Sequence, residues 1–338
     1  MTDRLTYIDN LRAVCLVLMV AGHTGLTLTE KNLIYSFHIP LFYFLSGLLY
    51  RGFPPSPLRH LGRKALRLLV PYVLFTLAVY GVSYMLLGRH GGPRLLLRTL
   101  WFGEGLPGGG TALWFLPSLF WTYAAALLLK AIRLPWWLIG AAAAAGWYAQ
   151  SALGVPTWLG FRASGLFFFV AGVGMRRLLL RLGWGLSQDT TPPPVALRTT
   201  TATLLAVYAV ALPWGGFPAQ QVFNILYMPL HPGMVLAALT ACPALLLLFR
   251  AWHAPRRFEQ VCASVSRHAI PIIGLHFAPI LFLKPYHLAS QLPHAAHIAL
   301  VMAAEAAWLA ITVPLIARLC PLFEGRLPHW LPRRRNRS

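Results

Sequence analysis

Apolar residues in this chain come in long runs, and the runs repeat from one end to the other. Ten stretches read as spans, approximately residues 12–29, 33–50, 68–88, 111–131, 135–151, 157–175, 199–215, 231–250, 268–286 and 295–317. A helix crosses a bilayer with roughly 17–25 mostly apolar residues. No soluble domain has an interior that could bury ten such segments. Only 11% of the residues are charged, whereas a soluble domain carries roughly one quarter. With 57% hydrophobic residues and a mean hydropathy of +0.61, the sequence predicts an all-α fold. It is a polytopic membrane helical bundle of about ten transmembrane helices, a single domain over 1–338 with a basic tail at 330–338.

Charge sets the expected orientation. The net charge is +21, which in a soluble protein would point to nucleic acid. Here the cations gather in alternate gaps between apolar runs: Arg51, Arg59, Arg63, Lys64 and Arg67, then Arg176, Arg177 and Arg181, then Arg250, Arg256, Arg257 and Arg267, then Arg333, Arg334, Arg335 and Arg337. That is the positive-inside pattern. It predicts cytoplasmic N- and C-termini, the lipid bilayer as partner and no nucleic acid. The expected location is a bacterial cytoplasmic (inner) membrane, and a homo-oligomer is left open. Cys15, Cys242, Cys262 and Cys320 are scattered without ligand or pairing spacing, so neither a disulfide framework nor a metal site is expected. No cleavable signal peptide is evident. The Gly-rich stretch 102–112 lacks the Lys-Ser/Thr of a phosphate loop and reads as a plain outer loop.

Ionisable residues inside spans are costly, and they usually face a cavity or a partner. Arg12 and His23 are eleven residues apart, close to three helical turns, so they share one stripe of the first span. They are separated by about 16 Å along the axis, which suits a long ligand entering from inside. His38 lies about five residues in from the outer end of the second span and His23 about six from the outer end of its own, so a tight hairpin would bring the two imidazoles together. Pro40 is expected to kink the helix beside His38, and Ser46 and Gly47 to permit close helix approach. Asp9, one turn before Arg12, can hold the guanidinium or simply suit the helix N-terminus.

Further candidates for contact with a substrate are His276, Glu305, Arg162 near the outer end of the sixth span, Glu104 in the outer loop, and Trp114. Trp114 and Phe115 read as an interface belt or packing ahead of a sugar platform. His231, His287, His294 and His297 sit at span ends and read as interfacial.

The segments "RLTYIDNLRAVCLVLMVAGH" (4–23) and "FHIPLFYFLSGLLYR" (37–51) resemble the acyltransferase-3 family of integral membrane acyltransferases, and most of all its fucose 4-O-acetylase-like members. The family's Arg-ten residues-His pattern falls on Arg12 and His23, its preceding Asp on Asp9, and its Phe-His-Met-Pro element on Phe37 to Pro40, with Ile39 in place of Met. Weaker likenesses follow at "RKALRLLVPY" (63–72), "LWFLPSLF" (113–120) and "IIGLHFAPI" (272–280).

The resemblance implies transfer of an acetyl or other short acyl group from cytoplasmic acyl-CoA to a hydroxyl of a carbohydrate or cell-envelope glycan. Acetyl-CoA is then a donor substrate, with no bound cofactor. Such chemistry needs a proton acceptor active near neutrality, which suits histidine, and a means of holding the developing oxyanion. His23, His38 and Asp9 are the catalytic candidates, His23 as general base or, in a variant, as the acylated nucleophile. Arg12, Arg63, Lys64 and Arg67 are the candidates for the CoA phosphates. A transporter of a sugar or small anionic solute is the competing reading, although the polar groups concentrate in the first two spans without matched halves. A non-catalytic subunit of a glycan-modifying assembly is the third.

Overall fold

The structure is a computed structural model that describes residues 5–87, 92–102, 112–187, 194–214, 232–283 and 292–326. Its described elements are helical. In chain order they are α1 (Thr6–Gly22), α2 (Leu28–Tyr35), α3 (His38–Leu48), α4 (Pro57–Leu87), α5 (Gly92–Phe102), α6 (Phe115–Ala131) and α7 (Trp136–Ala152). Then follow α8 (Ala163–Arg181), α9 (Pro194–Trp214), α10 (Pro232–Ala251), α11 (Arg256–Arg267), α12 (Ala269–Leu275), α13 (Phe277–Leu283) and α14 (His294–Leu319).

Among the described residues, five helices are long and apolar enough to cross a membrane: Pro57–Val82, Trp158–Arg181, Val195–Trp214, Pro232–Ala251 and His294–Leu319. A sixth is the bent pair Arg256–Arg267 and Ala269–Ile280, broken by 68°. This makes the chain an integral membrane protein. Each of the ten expected stretches includes helix among its described residues, but α1, α6 and α7, at 17 residues each, are at the lower limit of a crossing and α3, at 11, is below it, so five or six is the number supported by length and composition.

Two boundaries depart from expectation. The first helix begins at Thr6, not near residue 12, because Tyr7, Ile8 and Leu11 are buried in a core with Leu41, Phe44, Leu45, Leu246 and Leu247. Polar Asp9 and Asn10 hide that stretch from a hydropathy reading. Arg12 is therefore well inside α1 rather than at its mouth. The same helix ends at Gly22: His23 and Thr24 donate their backbone N–H groups to Val20 and Ala21 at 3.0 Å, and Gly25 follows with φ +103°. His23 is thus the residue that closes α1, not one buried six residues inside it.

The second expected span is two helices. α2 starts on a capping box, in which Thr27 and Glu30 bond each other's backbone N–H. The chain breaks at Ser36 and Phe37 (φ −136°), and α3 begins at His38. The histidines are therefore joined through a short helix, not a tight hairpin. Pro40 does not kink α3: it sits in the first turn, where its missing N–H would have had no intrahelical partner.

The close approach expected at Gly47 is present. A Cβ there would lie 1.8 Å from the Phe169 carbonyl oxygen, and one at Gly172 would lie 1.9 Å from that of Phe44. α3 and α8 therefore meet backbone to backbone. Two of the cations expected on the inner side serve the fold directly. Arg176 donates to the Leu48 carbonyl at 3.2 Å, and Arg250 to the carbonyls of Gly185 at 3.0 Å, Ser187 at 3.2 Å and Trp184. Each quenches oxygens that a helix end or turn leaves unpaired.

Candidate active site

α1 is the central element: it packs against α2, α3, α10, α11, α12 and α14. Where it ends, His23 enters a cavity of about 160 Å³ lined by Met19, Tyr35, His38, Ile39, Phe42, Ala112, Trp114, Phe115 and Ile273. Three sequence candidates, His23, His38 and Trp114, thus share one space. Tyr35 bridges the histidines, with its ring centroid 6.4 Å from that of His23 and 5.0 Å from that of His38. The Tyr35 hydroxyl donates to the Gly22 carbonyl at 3.1 Å, and Gly22 is small because a Cβ would lie 2.8 Å from Tyr35 Cε1.

His276 joins the group from the other end of the chain. It closes α12, is fully buried, and sits with its ring centroid 5.3 Å from that of His23. Phe277 covers both rings, at 4.6 Å from His23 and 4.5 Å from His276.

Hydrogen bonding fixes two tautomers. His38 Nδ1 lies 3.0 Å from the Ile34 carbonyl, and His276 Nδ1 lies 3.1 and 3.0 Å from those of Ile272 and Ile273. A carbonyl only accepts, so Nδ1 carries the proton in each ring and Nε2 is left as a lone pair. His276 Nε2 is buried without a hydrogen-bond partner. The three histidines do not converge as metal ligands; among the described residues no three of His, Cys, Asp and Glu do so.

Arg162 stands behind the cavity wall. It precedes α8, is 1% exposed, and holds its guanidinium 5.0 Å over the Trp114 ring. That cation–π contact fixes the indole that faces the histidines. Glu104 lies outside the described residues. Glu305 is buried, but it lines a different cavity, with His268 and Ser264.

The basic candidates lie toward the other end of α1. Asp9 accepts a hydrogen bond from Ser266 Oγ at 2.9 Å, which ties α1 to α11. Tyr123 of α6 has Lys64 Nζ 3.8 Å over its ring and is also within electrostatic reach of Arg12, as is Asp9. Arg12 and Lys64 are thus drawn to one place by an aromatic residue that sequence reasoning passed over. Arg63 and Arg67 are exposed on α4, one helical turn apart.

Of the span-end histidines, His294 and His297 are described, and both make contacts beyond their own helix. His294 Nε2 lies 3.0 Å from Glu30 Oε2, and His297 Nε2 lies 3.1 Å from the Thr24 carbonyl. The first pins α14 to α2, and the second pins it to the loop that follows His23. His231 and His287 lie outside the described residues.

Tyr35, Phe277 and Tyr123 are site residues that the sequence reading missed. Tyr35, three residues before His38 and so about one turn away, was the one within reach of a spacing argument.

Against known families, residues 5–318 match the model of a family described as an acyltransferase domain. No curated protein and no solved structure gives a match.

Proposed function

From the premise that this chain belongs to the acyltransferase-3 family, whose model covers residues 5–318, and is therefore a membrane acyltransferase, we propose that it moves an acetyl or other short acyl group from acyl-CoA to a hydroxyl of a carbohydrate or envelope glycan. The observation that carries this reading is that His23, at the cavity, has its ring 5.3 Å from that of His276, whose Nε2 is buried without a hydrogen-bond partner.

In the proposed reaction the acceptor hydroxyl oxygen attacks the thioester carbonyl carbon. Its proton passes to one ring nitrogen of His23. The opposite N–H of His23 turns toward His276 Nε2, which orients the base as the third member of a nucleophile–base–orienter set. The C–S bond then breaks, and the CoA sulfur takes the proton back from His23. His38 Nε2, also a lone pair, accepts a hydrogen bond from the acceptor and positions it. The donor enters from the cytoplasmic side, where Arg12, Lys64, Arg63 and Arg67 hold the CoA phosphates, and Asp9 keeps Arg12 in reach. In this reading the termini are cytoplasmic and the membrane is the bacterial inner membrane.

Mass spectrometry of envelope glycans from a strain lacking the protein tests the proposal. Loss of an acyl mass from one glycan, restored by the intact gene, is the expected result. An unchanged acylation profile under conditions of expression refutes it.

A further inference from the structure

A second cavity backs onto the histidine cavity across a wall one residue thick. Met19 and Ile273 face the histidines, while their chain neighbours Val20 and Ile272 face the other way, into a groove of about 550 Å³ between α1, α11 and α14. That volume is in the ordinary range of ligand sites. Its walls are almost wholly aliphatic. On the open side Val17 and Val261 are exposed, and α14 presents Ala306, Ala310 and Pro314 at successive i+4 positions. Walls of this kind suit a hydrocarbon chain.

Three polar side chains break the apolar lining, Ser264, Glu305 and His268, and the last two carry the argument. Glu305 is 1% exposed, and neither carboxyl oxygen has a hydrogen-bond partner, although the Ile280 amide approaches it. A carboxyl held this way in apolar surroundings is costly unless something completes its hydrogen bonding.

The other is His268, at the 68° bend between α11 and α12. Its Nδ1 bonds to Glu324 Oε1, and Arg326 Nη1 lies 3.1 Å from Glu324 Oε2. The segment carrying Glu324 is fixed on α4: Gly325 has φ +66°, and a Cβ there would lie 2.5 Å from Arg67 Cα. In the neutral ring with Nδ1 donating to Glu324, His268 Nε2 is a lone pair. The groove therefore offers hydrogen-bond acceptors set in aliphatic walls.

We propose that this groove is a lipid site, which takes an aliphatic chain bearing hydroxyl groups. The chain lies between α1 and α14, and its O–H donates to the Glu305 carboxyl, with His268 Nε2 as a second acceptor. The site goes beyond the histidine cavity and does not depend on which residue there moves the proton.

The test is photolabelling of the purified full chain in phosphatidylcholine nanodiscs with a diazirine-bearing hexadecanol, the label mapped by mass spectrometry. Label is expected on groove residues of α1, α11 and α14, displaced about tenfold better by hexadecanol than by hexadecane or hexadecylamine, the effect of one hydrogen bond. Ala306→Trp and, separately, Val17→Trp should abolish it, with gel filtration reporting that each variant is folded. Glu305→Leu should keep the label and erase the advantage of the alcohol. Label scattered over exposed helix faces, equal displacement by the alkane, better displacement by the amine, or label unchanged in both Trp variants would overturn the proposal.

Discussion

The imidazoles of His23 and His276 lie with ring centroids 5.3 Å apart, one closing α1 and the other closing α12. His276 commits its Nδ1 proton to two backbone carbonyls, which leaves its buried Nε2 as a lone pair without a hydrogen-bond partner. A role in orienting His23 predicts a loss of about 10²-fold in kcat for His276→Phe, the lower end of acid–base assistance, with KM for the donor little changed. His276→Gln, which can still accept a hydrogen bond, should recover part of the loss. Steady-state kinetics on both variants checks this.

Lys64 lies over the Tyr123 ring and Arg12 is within electrostatic reach of the same residue, which predicts that they act on the donor rather than on the chemistry. Lys64→Ala should raise KM for acyl-CoA about tenfold, as expected for a lost charge-assisted bond, and leave kcat nearly intact. Dephospho-CoA thioesters, which lack one phosphate, should show a smaller difference between wild type and variant.

The α3–α8 contact has no room for a methyl group. Gly47→Ala and Gly172→Ala each force a Cβ within 2 Å of a carbonyl oxygen, so the helices must separate. Each should destabilise the protein by about 3 kcal/mol or more, read as a fall in the thermal midpoint in detergent. Gly174→Ala, on the same helix with nothing within 4 Å, should be tolerated.

Much of this site is written locally in the sequence. His23, His38 and Gly47 stand out because ionisable and small residues are conspicuous in apolar runs, and all three lie within one short segment. The contacts that give His23 its surroundings are long-range. Nothing local links His276 to His23, Gly172 to Phe44, or His268 to Glu324. Helix ends were misread for a related reason: Tyr7 and Ile8 are buried by tertiary packing beside polar Asp9 and Asn10, and Gly25 ends α1 by backbone conformation rather than by polarity. Glu305 is conspicuous in an apolar run, but only packing shows that it lines a separate groove.

Acid should loosen the cap over the cavity. Glu30, in the loop-borne helix α2, is held down to about 2 by hydrogen bonds from the Thr27 hydroxyl, the Thr27 backbone and His294. Its folded value is lowered from the ordinary 4.5, so the stabilisation is present above that value and is lost as pH falls toward 2. Hydrogen exchange at the α2 amides should accelerate over this window in wild type, while Glu30→Gln should exchange faster at neutral pH and show no such step.

The most direct measurement is release of CoA thiol by the purified protein in nanodiscs, supplied with acetyl-CoA and a glycan-bearing membrane extract from its own host. Wild type should release thiol only when the extract is present, and His23→Ala, at equal abundance and thermal midpoint, should fall by about 10³-fold or more, as loss of a general base requires. Turnover by His23→Ala within a few fold of wild type would contradict the assignment of the histidine cavity as the place where the acyl group is transferred.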